Sequence, residues 1–344
     1  MKKNIIIILS FFIYNISFSQ NNIKFSNTIN TNDLEKHLKI LASDSLEGRE
    51  TGKPGQKMAA HYIASHFKNI GIKPYKKNTY LQKFKVKSER HLCKCEDCDS
   101  DFLKALFKRK KIIKGENVLG YIEGTDLKEQ LIIITAHYDH LGKHDSLIYN
   151  GADDDGSGTV AAMEIAEAFK IAKNEGFGPR RSVLIMAVSG EEKGLLGSKY
   201  YTDNPIYPLK NTVANLNIDM IGRLDDWHDT ANYVYLIGSD RLSTDLHNIS
   251  EEVNKKYIGL NLDYRFNEED EPNRYYYRSD HYNFAKNNIP VIFYFNGVHE
   301  DYHKPTDTIE KIDFKKIEKI TKLIFLTAWE LANQQERIKL NKNL

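Results

Sequence analysis

Two kinds of apolar pattern alternate along this chain. Four short stretches are apolar almost without interruption: 131–136 (LIIITA), 183–188 (VLIMAV), 232–237 (NYVYLI) and 289–295 (IPVIFYF). Runs this short and this apolar predict strands buried on both faces. Between and after them apolar residues recur at helical spacing, near 157–173, 241–256 and 313–332. In the last of these Ile317, Ile320, Ile324, Ala328 and Leu331 form one stripe. Upstream, Asn32 is placed to cap a helix carrying Leu34, Leu38, Ile40 and Leu41. Pro54 suits the first turn of a second helix, whose Met58, Ala59, Tyr62, Ile63 and Phe67 share a face and which Gly71 closes. Buried strands with intervening helices predict an α/β fold, a single globular domain with a central mixed twisted sheet and helices on both faces. That domain is expected over 31–336, after a loose polar leader (20–30) and before a polar tail (337–344).

One segment breaks the pattern. Residues 88–114 hold the only three cysteines, Cys93, Cys95 and Cys98, followed by a basic run from Lys104 through Lys108, Arg109, Lys110 and Lys111 to Lys114. This reads as an inserted excursion, with the basic run a solvated face. Three clustered cysteines allow one disulfide and an odd thiol, or a small metal clip with His91, but not a framework for the fold.

The N-terminus is a separate object. Lys2 and Lys3 precede an apolar stretch from Ile5 to Phe18, and Ser17-Phe18-Ser19 offers a small-x-small cleavage pattern. Residues 1–19 therefore read as a signal peptide, too short for a span of about 20 apolar residues. The implied destination is outside the cytoplasm, in the periplasm, at the cell surface or secreted, with no stable membrane insertion after cleavage. Composition adds only exclusions. At 41% hydrophobic and 28% charged, the chain is neither disordered nor a coiled coil. Lys+Arg 49 against Asp+Glu 47 gives no basic excess for nucleic acid. Oligomeric state is not encoded in these features.

Chemistry concentrates just past the strand ends, where open α/β sheets place their sites. His137-Tyr-Asp139-His140 follows the first strand, and Gly151-Ala-Asp153-Asp154-Asp155-Gly leads into a helix. Ser189-Gly-Glu191-Glu192 follows the second strand. Asp219 ends another short apolar run, and His299-Glu-Asp-Tyr302-His303 follows the last. Gathered in one place, these carboxylates and imidazoles would repel and desolvate one another without a cation. Two divalent ions roughly 3.5–4 Å apart would resolve that, and the donor types suit zinc. His299-Glu-Asp-Tyr-His303 also matches H-E-x-x-H, but Pro305 leaves no room for the helix that motif needs.

These motifs together resemble the co-catalytic zinc aminopeptidases of peptidase family M28. The flanking text is similar too: LASDSLEGRETGKPG, AHYDHLG, NGADDDGSGT, SGEEKGLLGS, NIDMIGR, RSDHYNF and YHKPTDT, from about residue 34 to 332. The resemblance implies two zinc ions per chain and peptide or protein substrates. It implies His137 and Asp219 on one ion, Glu192 and His303 on the other, and Asp153 bridging both. Glu191 would be the general base, Asp139 would orient His137, and Tyr302 would donate to the oxyanion, with Tyr276 a candidate for similar work. On this reading Asp154 and Asp155 shape a loop, and His140, His144, His281 and His299 are supporting or surface residues. Two other readings stay open: a single-zinc glutaminyl cyclase, and a metal-free surface-binding relative. Arg223 and Arg278 lie near the motifs. An aminopeptidase needs acidic groups or carbonyls for the substrate's α-ammonium, and a carboxypeptidase needs an arginine or lysine for a carboxylate.

Overall fold

In the run 131–136 successive side chains enter opposite layers. Ile132, Ile134 and Ala136 join one core, while Leu131 and Ile133 join the other. The structure, a computed structural model, describes residues 21–76, 78–90 and 109–342. The signal-peptide segment, the three cysteines, Lys104 and Lys108 lie outside the described residues. The strands are β1 (Lys73–Pro74), β2 (Leu81–Arg90), β3 (Arg109–Ile122), β4 (Leu127–His137), β5 (Gly142–His144), β6 (Leu147–Tyr149), β7 (Arg181–Val188), β8 (Thr212–Ile218), β9 (Tyr233–Ile237), β10 (Asn261–Asp263) and β11 (Val291–Phe295). Nine of them form one sheet in the order β1-β3-β7-β4-β8-β11-β9-β10, with β2 paired to β3 beside β1. β5 and β6 make a separate hairpin.

The centre of the sheet, β7-β4-β8-β11, is parallel, and its outer pairs β3·β7 and β9·β11 are antiparallel. The sheet is therefore mixed, as the alternating pattern implied. The helices are α1 (Thr31–Leu41), α2 (Pro54–Asn69), α3 (Gly158–Asn174), α4 (Leu196–Asp203), α5 (Thr244–Val253), α6 (His281–Ala285) and α7 (Phe314–Asn333). On one face, α1, α2, α3, α5 and α7 pack against Ile132, Ile185, Leu216 and Tyr294. On the other, Tyr201 of α4 and Phe284 of α6 cover Ile133, Met186, Tyr235 and Phe293. Helices thus lie on both faces, the heavier layer being the first.

Four expectations change. The cap of α1 is Asn30, whose side chain accepts from the Asp33 amide, because the helix begins one residue before Asn32. The leader is not loose. Residues 21–26 are helical, and Phe25 is fully buried with its ring 5.7 Å from that of Trp329. The polar tail is tied down, since Ser243 donates to the Lys339 carbonyl and Asp245 accepts from the Lys339 amide. Finally, the described ends of the 88–114 excursion, 88–90 and 109–114, are strand. β2 and β3 pair in unbroken register from Leu81↔Val118 to Arg90↔Arg109, so Arg109 through Lys114 belong to the ribbon. Lysines on a strand read as an insertion because their pattern carries no apolar alternation.

Candidate metal centre

Parallel strands all end on one edge, which is why residues far apart in sequence meet. His137 is the last residue of β4 and Asp219 follows β8. Glu191 and Glu192 follow β7, and His303 lies in the turn after β11. The Asp153–Asp155 loop enters the same edge ahead of α3. His137 Nε2 is 3.2 Å from Asp154 Oδ1 and 3.5 Å from Asp219 Oδ1. His303 Nε2 is 3.2 Å from Asp154 Oδ2 and 3.4 Å from Glu192 Oε2. His140 Nδ1 joins this second group, 2.8 Å from Glu192 Oε1 and 3.8 Å from Asp154 Oδ2.

The carboxylate lying between the two groups is therefore that of Asp154. Asp153 is turned away from it. Its Oδ1 accepts from the Gly222 amide at 2.6 Å and its Oδ2 lies 3.2 Å from His299 Nε2. Gly222 allows that approach, since a Cβ there would sit 2.9 Å from Asp153 Oδ1. Asp155 lies close to His137 and Asp219, but its oxygens accept from the amides of His137, Gly158 and Met220. Of three adjacent aspartates, backbone geometry gives each a different neighbourhood, and no sequence pattern distinguishes them. His140 was the other residue missed. The only pointer to it was a second imidazole three positions after His137.

Behind these donors lies a set of anchors. His137 Nδ1 is 3.1 Å from the Asp139 carbonyl oxygen, nearer than the 3.8 Å to that residue's carboxylate. The Asp139 carboxylate instead accepts from Thr51 Oγ1 at 2.6 Å and from the Glu191 amide at 3.3 Å. Ser279 Oγ donates to Asp219 Oδ2 at 2.6 Å. The segment Arg49–Thr51 reaches three of the loops at once. Arg49, buried, donates to the carbonyls of Tyr138, Asn150, Gly151 and Leu41, and Glu50 Oε1 pairs with Lys193 at 3.0 Å. The motif LEGRETG is thereby a clip on the site rather than part of its donor set.

Burial governs the protonation of these groups. It pushes the Glu191 carboxyl well above the usual range, with His137 pulling the other way and Asp219 and Glu192 adding to the rise. It pushes Glu192 up to about 8 and His140 down to about 4. For Asp154 burial works upward, yet the imidazoles of His140, His137 and His303 hold it well below the usual carboxylate range. For His137 burial works downward, and the carboxylates of Asp219 and Asp154 raise it well above an ordinary histidine. Burial also raises the Tyr302 hydroxyl, so it stays a proton donor.

The donor set fits a metal. Both ring nitrogens of His140, Asp154 Oδ2 and Glu192 Oε1 are buried without a hydrogen-bond partner, though they face one another. Such groups are costly in pairs of like charge and favourable around a cation. Imidazole nitrogen with carboxylate oxygen is a zinc donor set.

Glu191, Tyr302 and His303 line one cleft with His137, Asp154 and Asp219, walled by Met220, Tyr275, Phe293, Phe295 and Val298. Tyr302 stacks on His303 with ring centroids 3.8 Å apart. Tyr276 does not line the cleft; Arg241 lies 4.0 Å over its ring and Gly238 packs beneath it. The segment 299–303 is a turn rather than a helix, and its two histidines serve different aspartates. His281 is buried and stacked on Phe293, and His144 meets the edge of Tyr149.

Two adjoining His/carboxylate groups at the carboxyl edge of a mixed sheet define the class: an α/β protein with a zinc-type centre on its strand ends. The chain belongs to peptidase family M28, which matches residues 117–328. Aminopeptidase YwaD of Bacillus subtilis is 26% identical over 235 residues, covering 65% of this chain and 46% of that protein. A probable zinc metalloprotease of Leptosphaeria maculans is 28% identical over 265 residues, covering 64% of this chain and 58% of its own length. The chain thus spans about half the length of these relatives. Among solved structures, the LapA aminopeptidase of Legionella pneumophila superposes with a TM-score of 0.68 at 21% identity, over 92% of this chain and 75% of that one. The zinc aminopeptidase BSAP of Bacillus subtilis gives 0.66 at 18% identity, over 92% and 98%. At such identities the likeness is one of fold.

Proposed function

We propose that this protein is a zinc-dependent peptidase, an aminopeptidase in which His137, Asp219 and Asp154 would hold one ion and Asp154, Glu192 and His303 a second. The observation that carries this reading is Asp154, whose two oxygens face His137 and His303 separately. On this reading Asp154, rather than Asp153, would be the carboxylate shared by the two ions. His140 is a further donor to the second group. Zinc at such a centre supplies a lowered pKa for the attacking water and positive charge against the scissile carbonyl.

The chain's own residues do the rest. Glu191 takes the proton of the attacking water and returns it to the leaving nitrogen. The Tyr302 hydroxyl donates to the oxygen on which negative charge develops. The Asp139 carbonyl fixes the His137 ring through Nδ1, leaving Nε2 for the metal side. The apolar wall of Met220, Phe293 and Phe295 receives an apolar side chain. Export through residues 1–19 belongs to the same reading, and the N-terminus of the purified natural protein checks it.

The test uses the full-length protein with zinc on matched peptides carrying a free or an acetylated N-terminus. Cleavage of the free-amine peptide alone, abolished by a chelator, is the expected result; equal cleavage of both would overturn aminopeptidase action. Glu191→Gln is expected to keep its zinc and lose roughly 10²–10⁴ in turnover. Two zinc ions per chain separate this reading from a single-zinc cyclase, which the shared Asp154 does not favour.

A further inference from the structure

We infer that the cleft takes substrates bearing a carboxylate one residue from the scissile bond, and that Arg278 receives it; this rests on the peptidase reading above. The sequence left two arginines as candidates, and the structure separates them. Arg223 is committed to Asp301, 2.8 Å away, and does not line the cleft. Arg278 lines it, and apart from histidine it is the only cationic side chain among the described residues that do.

Arg274, close in sequence, lies over the Tyr277 ring and does not line the cleft. Arg265 pairs with Asp263, and Arg241 donates to the carbonyls of Asn267 and Glu268. Arg278 makes no ion pair with a described acid. Its guanidinium lies 5.0 Å from the centre of the Tyr275 ring, and Nη2 is 3.4 Å from the Tyr302 hydroxyl. An exposed guanidinium held by a ring and a hydroxyl keeps its donor fork available for a carboxylate.

Its position sets the reach. The next residue, Ser279, is hydrogen-bonded to both Asp219 and Asn217, so the backbone beside Arg278 is tied to the donor groups. Tyr302 in turn lies against His303. A carboxylate touching Arg278 therefore sits about one residue from a carbonyl at Tyr302, since an extended residue spans roughly 3.3–3.6 Å. Two sources carry that chemistry: the C-terminal carboxylate of a dipeptide, or an acidic side chain next to the scissile bond.

The experiment compares the zinc-loaded wild type with Arg278→Met on Leu-Leu, Leu-Leu-amide and Leu-Glu-amide. The wild type is expected to cleave Leu-Leu about tenfold better than its amide, chiefly through KM, as one charge-assisted contact supplies. In Arg278→Met that ratio should fall to near one. Recovery with Leu-Glu-amide would extend the assignment to acidic side chains. A binding measurement needs no turnover: a reduced-amide isostere of Leu-Leu, as acid and as amide, titrated into the metal-free protein. The acid should bind more tightly to the wild type and lose that advantage in Arg278→Met, whose melting temperature reports its folding. Equal cleavage of all three peptides by the wild type, or a preference surviving in Arg278→Met, would overturn the inference. Absence of any cleavage, with the acid isostere still selected through Arg278, would sink the peptidase reading and leave carboxylate recognition standing.

Discussion

Asp153 and Asp154 are neighbours that face different groups, and the consequence is measurable. Asp154 faces two imidazoles of the donor groups, whereas Asp153 holds the Gly222 amide and His299. Asp154→Asn is expected to lose metal from both groups, because each loses a carboxylate charge. Asp153→Asn should retain it. Zinc content after equilibrium dialysis decides between them, and loss in Asp153→Asn alone would reverse the assignment. Arg49 acts at one remove. Its guanidinium donates to four backbone carbonyls, so Arg49→Met would take the donor from those of Tyr138, Leu41 and Asn150, while Gly151 would keep the Gly156 amide. We expect at least about 3 kcal/mol of destabilisation, read by denaturant unfolding, where a surface arginine would cost well under 1.

Elements bring together groups that local pattern cannot connect. Where α1, α2 and α3 pack, His37 meets Glu164 at 3.7 Å and His66 meets Glu167 at 3.9 Å, with Tyr62 on His37 Nδ1 and Asp33 and Lys36 nearby. Burial pushes Glu164 up to about 8, with Glu167 adding to it, and pushes His37 down to about 4. A carboxyl raised in the folded state contributes stability that is full below its unfolded pKa of 4.5 and is lost as pH climbs to about 8. A depressed histidine works oppositely, its contribution being lost as pH falls from 6.5 to about 4. The histidine thus offsets the carboxyl at acid pH and leaves it unopposed from pH 6.5 to 8. Over that window the wild type should lose about 1 kcal/mol, roughly 2–4 °C in melting temperature, relative to Glu164→Gln. Parallel pH slopes for the two proteins would refute the assignment. The β2–β3 ribbon and the helical segment 21–26 show the same limit of local reading. The first exposes Lys83, Lys85 and Lys87, and the second buries Phe25 against the distant rings of Phe177 and Trp329.

At the scale of the whole molecule, the donor groups tie together strands and loops that the chain visits at widely spaced points. His137, Asp154, Glu192, Asp219 and His303 come from β4, the loop before α3, the turn after β7, the end of β8 and the turn after β11. Metal binding would therefore stabilise the folded state against the unfolded one. Adding zinc at about 1,000 times its Kd should contribute about 4 kcal/mol, and a chelator should remove it. A melting temperature indifferent to both would show that the groups hold no metal. No described helix is long and apolar enough to cross a membrane, and none of these tests calls for lipid.

The sequence by itself determined the class of fold and the chemistry present at the sheet edge. Apolar runs this short and β-branched predict buried strands, and helical stripes between them predict helices packed on the sheet. His137, Glu191, Glu192, Asp219, Tyr302 and His303 were singled out because each lies just past an apolar run and inside a motif that resembles those of family M28. What tertiary structure decided was which of several adjacent candidates faces the cleft: Asp154 and not Asp153, Tyr275 and not Tyr276, Arg278 and not Arg223. The physical reason is that strand periodicity ends where the loops begin. Past that point a side chain's direction is set by the backbone donors it finds across the fold, such as Gly222 for Asp153, rather than by its place in the chain.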